Sequence, residues 1–196
     1  MHIVIHLRTL DDAMAEAWRA AFHVPGVSIA ADDIFGTKAD AILSPANSFG
    51  FMDGGIDLAY SHRFGWALQD ALRARIESEH DGELPVGMAL VLPTGSADFP
   101  FLVSAPTMRL PSVIDRTANV YLAFRAALLA IRRHNAMAAT PIRSLTSPAL
   151  GAGIGGMPFE RVARQMRAAY DEVELGDHAW RRTARGVMEQ HRSLLQ

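Results

Sequence analysis

Cysteine is absent from the 196 residues, which excludes disulfides and thiolate-bound zinc or iron–sulfur centres and leaves the protein no redox chemistry of its own. That absence suits a reducing cytoplasm, which is the expected location. Lysine is nearly absent too. Lys38 stands alone beside 18 arginines, so a lysine-based mechanism would depend on that one side chain. Neither sign of charge is in excess. With 19 basic and 21 acidic residues the formal net charge is -2, which gives no general attraction to nucleic acid or to an anionic membrane. Direct nucleic-acid binding is therefore not expected, and an anionic ligand must be held by local groups. No run approaches the roughly 20 apolar residues that a membrane helix needs, and the apolar start Met1 to Leu7 is too short for a signal peptide. The expectation is a soluble protein with no membrane contact.

What is present is a chain 49% hydrophobic, long enough to bury one substantial core, so residues 1–196 are expected to form a single domain. Strand-like and helical patterns alternate throughout. Strands are expected at His2 to Leu7, Val27 to Ala30, Ala39 to Leu43, Gly87 to Leu92, Phe99 to Ser104 and Arg143 to Leu150. Helices are expected after the cap-like Thr9-Leu10-Asp11-Asp12, with Leu10, Met14, Trp18, Ala21 and Phe22 on one face, and around Tyr60, Phe64, Leu68, Leu72 and Ile76 with a break at Gly65. Asp115 to Arg133 forms another, and Pro158 suits the first turn of a helix burying Phe159, Val162, Met166, Ala169 and Val173. Asp177 is placed to cap a last helix, with Trp180, Ala184, Val187, Met188, His191 and Leu195 packed on the body, so that 177–196 close the domain. Such alternation predicts an α/β fold, a three-layer α/β/α sandwich with a central mixed, largely parallel sheet of about six strands.

Three strands end alike, in Leu43-Ser44-Pro45, Val103-Ser104-Ala105-Pro106 and Thr146-Ser147-Pro148. Proline stops the hydrogen-bond ladder, and ligands of open α/β sheets sit beyond the carboxyl ends of strands, so the three loops are expected around one cleft. Ser-Pro as a mere strand terminator is the plainer alternative. The first loop runs on through Asn47 and Gly54-Gly55 to Asp57, and its glycines let backbone N–H groups approach a phosphorylated ligand. Gly151, Gly153 and Gly156 satisfy G-x-G-x-x-G between a strand and a helix, a pattern able to cradle a diphosphate. It follows the sixth strand rather than the first, and no strand bearing an acidic residue comes next, which argues against a dinucleotide-binding Rossmann fold. Close packing of helix on sheet is the alternative use of these glycines.

Taken together, these motifs resemble the macro domain family of ADP-ribose-binding α/β/α modules over residues 1 to 175. Asp33-Ile34 falls where the family has Asp-Ile, Ser44-Pro45-Ala46-Asn47-Ser48 resembles Asn-Ala-Ala-Asn-Ser, Gly54-Gly55-Ile56-Asp57 resembles Gly-Gly-Val-Asp, and Gly151 to Pro158 resembles the second phosphate loop. The resemblance implies ADP-ribose as ligand, an ADP-ribosylated substrate as partner, and no cofactor or metal. It implies that Asp33 accepts a hydrogen bond from the adenine amino group, helped by the Ile34 backbone. The diphosphate would be held by Gly54, Gly55 and Ile56 and by Gly151, Ala152, Gly153, Ile154, Gly155 and Gly156. Asn47 would bond the distal ribose. Asp57 matches the aspartate that MacroD-type ADP-ribosyl hydrolases use on a water, so Asn47 and Asp57 are the implied catalytic pair; Asp57 as a helix cap is a compatible structural role. The implied function is hydrolysis of an ADP-ribose adduct, on a protein or as a phosphorylated or acetylated ADP-ribose, with a non-catalytic reader as the alternative.

Two departures stand out. The family's first asparagine is Ser44 here, and the aromatic residue usual in the middle of the second loop is Gly155, for which Phe49 or Phe51 is a conceivable replacement if either is not a core residue. Lys38 lies outside the glycine loops and does not match the lysine nucleophile of another macro domain branch. His2 and His6 share a strand face, but without a matching acid no metal site is expected. Arg181, Arg182, Arg185 and Arg192 read as a solvated helix face.

Overall fold

The alternation seen in the sequence closes, in a computed structural model describing residues 2–196, into one six-stranded sheet in the order β2-β1-β6-β3-β5-β4. The strands are β1 (Val4–Thr9), β2 (Val27–Ala31), β3 (Ala41–Ser44), β4 (Leu90–Pro93), β5 (Phe101–Ser104) and β6 (Ser144–Ser147). All neighbours run parallel except the edge pair β4 and β5, so the sheet is mixed and largely parallel, as expected. The helices are α1 (Asp12–Ala21), α2 (Gly55–Phe64), α3 (Ala67–His80), α4 (Asn119–Met137), α5 (Phe159–Val173) and α6 (Ala184–Leu195), with a 3-10 turn at Ala179–Arg182. Among the described residues no helix is long and apolar enough to cross a membrane.

Alternation along the central strands sorts two cores. Ala41, Leu43, Val103 and Leu145 join Met14 and Trp18 of α1, Phe124 and Leu128 of α4, and Val162 and Met166 of α5. On the opposite face Ile42, Leu90, Leu92 and Leu102 pack against Tyr60 of α2 and Leu68, Leu72 and Ile76 of α3. Each large side chain buried in these layers contributes about 1.5–3 kcal/mol.

Helix ends explain where the chain turns. Asp11 caps α1, accepting from the N–H groups of Ala13 and Met14 at 2.9 and 3.2 Å. Because Leu10 precedes that cap it lies outside the helix and is 84% exposed, which corrects its expected place on the buried face. The helix after the first loop does break at Gly65, whose φ of 88° only glycine adopts readily. The last element also differs from expectation. Thr183, not Asp177, caps α6 by accepting from the Gly186 N–H, Leu194 is its one buried residue, and Val187 and Met188 are exposed. The segment is also held by α5: the buried Glu172, which accepts from Tyr121 and Arg125 of α4, accepts from Arg181 of the 3-10 turn, and Gln165 donates to the Leu194 carbonyl at 2.9 Å.

Candidate functional site

Parallel strands β5, β3 and β6 are neighbours inside the sheet, so their three proline-marked carboxyl ends meet at one end of it. There they enclose a cleft of about 250 Å³ to which Pro45, Thr107 and Pro148 all contribute. The convergence read from the Ser-Pro repetition is therefore real. A second hollow of about 350 Å³ adjoins it and shares Ile56, Pro148 and Ala149 as a common wall. Asp33 and Ile34 line this second hollow, while Asn47, Gly54, Gly55, Ile56, Asp57, Gly151, Gly153, Ile154 and Gly155 line the first. Ala152 and Gly156 line neither; Ala152 packs on the core and the Gly156 N–H is spent on the Gly153 carbonyl at 3.0 Å.

The walls are built to offer backbone N–H groups. Helix α2 begins at Gly54-Gly55 without a side-chain cap, so the N–H groups of its first turn have no protein partner and point to its N-terminal end. Opposite, the N–H groups of Gly153, Ile154 and Gly155 are also without a protein acceptor. Among the described residues, Asp53 and Asp57 are the only charged ones in the lining of the first cleft, so an anion entering it would meet N–H dipoles and no lysine or arginine. Lys38 is far from this chemistry in role, paired with Asp98 at the surface.

Asp57 sits on the cleft floor, in the first turn of α2, and is buried. Ser44 donates to its Oδ1 at 2.5 Å, and the Ala46 N–H also favours the ionised form. Loss of water around the carboxylate outweighs both and pushes its pKa up to about 7. Asn47 is occupied differently from the expected ribose contact alone: its Oδ1 accepts from the N–H groups of Phe49 and Phe51, and its Nδ2 donates to the Phe51 carbonyl at 2.8 Å. One Nδ2 hydrogen remains for the cleft. At the other end, Asp33 Oδ1 accepts from the Phe35 N–H at 2.7 Å, leaving its second oxygen without a protein donor.

A family model for the Macro domain matches residues 43–166, from the last residues of β3 to the middle of α5. The chain belongs to the macro domain family. An uncharacterized protein of Aeropyrum pernix is 30% identical over 185 residues, covering 89% of this chain and 90% of its own length. A DNA ADP-ribosyl glycohydrolase of Mycobacterium tuberculosis is 24% identical over 148 residues, which span 75% of this chain and 39% of that protein. Among solved structures, a variant Oceanobacillus iheyensis macrodomain holding ADPR superposes with a TM-score of 0.59 at 21% identity, over 70% of this chain and 72% of that one.

Within this macro domain the second loop is unusually tight. A Cβ on Gly155 would stand 2.4 Å from the Gly151 carbonyl oxygen and 2.8 Å from Ile114, whose N–H donates to the Gly155 carbonyl at 2.8 Å. The position of the expected aromatic is thus closed to any side chain. Phe51, 42% exposed and on the cleft wall, is the aromatic that faces the site, with Arg73 stacked at 4.3 Å from its ring centre; Phe49 lies outside the lining, under Arg109. Sequence reading missed Met108 and Pro111, which line the first cleft with Phe51. Their only signal was the strand end at Ala105-Pro106, since the bridge between Met108 and Asn47 joins residues far apart in the chain. Of the two histidines expected on one strand face, His6 of β1 bonds Ser28, whereas His2 precedes the strand and lies 3.6 Å from Glu174; among the described residues no three potential ligands are grouped for a metal.

Proposed function

We propose that this macro domain binds ADP-ribose across the two hollows and hydrolyses an ADP-ribose adduct in the cytoplasm. Asp33 and Ile34 receive the adenine, the two N–H-bearing loops hold the diphosphate, and the distal ribose reaches Asn47 and Asp57. The ADPR-bound relative and the glycohydrolase relative support the ligand and the reaction class respectively. The observation on which the proposal turns is Asp57: a carboxyl group on the cleft floor whose pKa of about 7 suits proton transfer near neutral pH. In the proposed step Asp57 takes a proton from a water as the water oxygen bonds to the carbon of the distal ribose that carries the attached group. The bond to the attached group breaks, and that group leaves with its electron pair and collects a proton. The substrate is an ADP-ribosylated protein or a phosphorylated or acetylated ADP-ribose.

Calorimetry with ADP-ribose tests the first half, and absence of binding heat would sink it. For the second half, Asp57→Ala should bind ADP-ribose and lose at least about a hundredfold in turnover on an ADP-ribosylated substrate, in the range of a removed general base. Unchanged turnover would remove Asp57 from the mechanism. The closed space at Gly155 favours a second reading, a module that binds ADP-ribosylated partners without chemistry. Tight binding with no release of ADP-ribose from a substrate panel would select it.

A further inference from the structure

Ser44 is the last residue of β3, is buried, and does not line the cleft, so it meets no ligand. Ile42, two residues earlier, faces the α2 and α3 layer, and by alternation Ser44 points the same way, beneath α2. Its hydroxyl donates to Asp57 Oδ1 at 2.5 Å. Its neighbour in register on β5 is Ser104, whose hydroxyl is buried with no partner. Further along α2, Tyr60 donates to the Leu43 carbonyl at 3.0 Å and ties the helix to the end of the same strand. The carboxylate is therefore enclosed by Ser44 from β3, the Ala46 N–H from the first loop and Tyr60 from α2. Neither the loop after β5 nor the second glycine loop brings a charged side chain into the lining, and Asp53 stands exposed at the lip.

We infer that Ser44 is a positioning residue for Asp57: it holds Oδ1 against the strand end, so that Oδ2 is the oxygen left for a water in the cleft, and it favours the ionised carboxylate. The inference rests on the hydrolase reading above and extends it to a residue that touches no ligand. Burial alone disfavours the charged form, no cation offsets it, and the Ser44 hydrogen bond is the largest influence in the opposite direction. A hydroxyl suits both states of the group, donating to the carboxylate and accepting from the carboxylic acid. Without it Asp57 would stay protonated across the neutral range and could not take a proton from water.

The test is a carbon-13 NMR titration of the Asp57 carboxyl, assigned through Asp57→Asn, in the wild type, Ser44→Cys and Ser44→Ala. The titration midpoint should rise from wild type through the weakly donating cysteine to alanine, by about one to two pH units for alanine. In parallel, the rising limb of the kcat/KM pH profile on an ADP-ribosylated substrate should move alkaline by the same interval. An unmoved midpoint overturns the inference, as does a fall in turnover with an unmoved pH profile, the outcome expected of a merely structural serine. If ADP-ribose does not bind, the function proposed above fails, while the titration still decides between Ser44 and no positioning role.

Discussion

Asp57 loses its hydration on folding and gains only neutral donors, which sets a measurable link between pH and stability. Its folded pKa of about 7 lies above the ordinary value of 3.8. Between these values the folded chain keeps a proton that the unfolded chain releases, so the stabilisation is full below about pH 4 and is lost as pH rises through 7. Asp57→Asn keeps an acceptor for Ser44 and removes the titration. Its stability relative to wild type should climb from pH 4 to pH 8, by up to about 4 kcal/mol, in denaturant unfolding; a pH-independent difference would refute the assignment. At the same scale, Gly155 and Gly153 make a matched pair. Gly155→Ala forces a Cβ onto the Gly151 carbonyl and should cost about 1–3 kcal/mol and weaken ADP-ribose binding, whereas Gly153→Ala meets nothing within 4 Å and should fold as stably as wild type. Unfolding midpoints and calorimetry check both.

Secondary elements were legible where a local pattern encodes them. Inside the helix expected from Asp115 to Arg133, Val120, Phe124, Leu128 and Ile131 recur at helical spacing, and all four are buried in α4. The glycine loops were legible because their residue types serve backbone exposure directly. The C-terminal element was misread for a definite reason. Much of its attachment is polar, Arg181 donating to Glu172 and Gln165 to the Leu194 carbonyl, and no periodicity in 177–196 announces such partners. The Asp57–Ser44 contact escaped for the same reason, since the helix cap expected of the aspartate is a local role and the observed hydrogen bond crosses from helix to strand. Glu172→Ala should leave Tyr121, Arg125 and Arg181 without their shared acceptor and cost about 3–5 kcal/mol. Hydrogen exchange should rise first across residues 179–195; uniform destabilisation without local loosening would show that the anchor lies elsewhere.

For the molecule as a whole, the parallel order of β5, β3 and β6 brings loops from three distant stretches of chain to one end of the sheet, and the two helical layers fix that end from both sides. The site is consequently a property of the fold rather than of one motif. The first cleft's lining, with two aspartates and no cation, has a kinetic consequence. A diphosphate approaching a chain of net charge -2 is not drawn in from a distance; it gains its attraction only on contact with the N–H groups. Salt screens long-range fields and leaves short dipolar contacts largely intact. The association rate constant for ADP-ribose, followed by stopped flow from about 0.02 to 0.5 M salt, should therefore stay level or rise slightly, and a steep fall would reveal steering by charges outside the cleft. Capture by this protein is governed by how well an encounter fits, not by how many encounters its field collects.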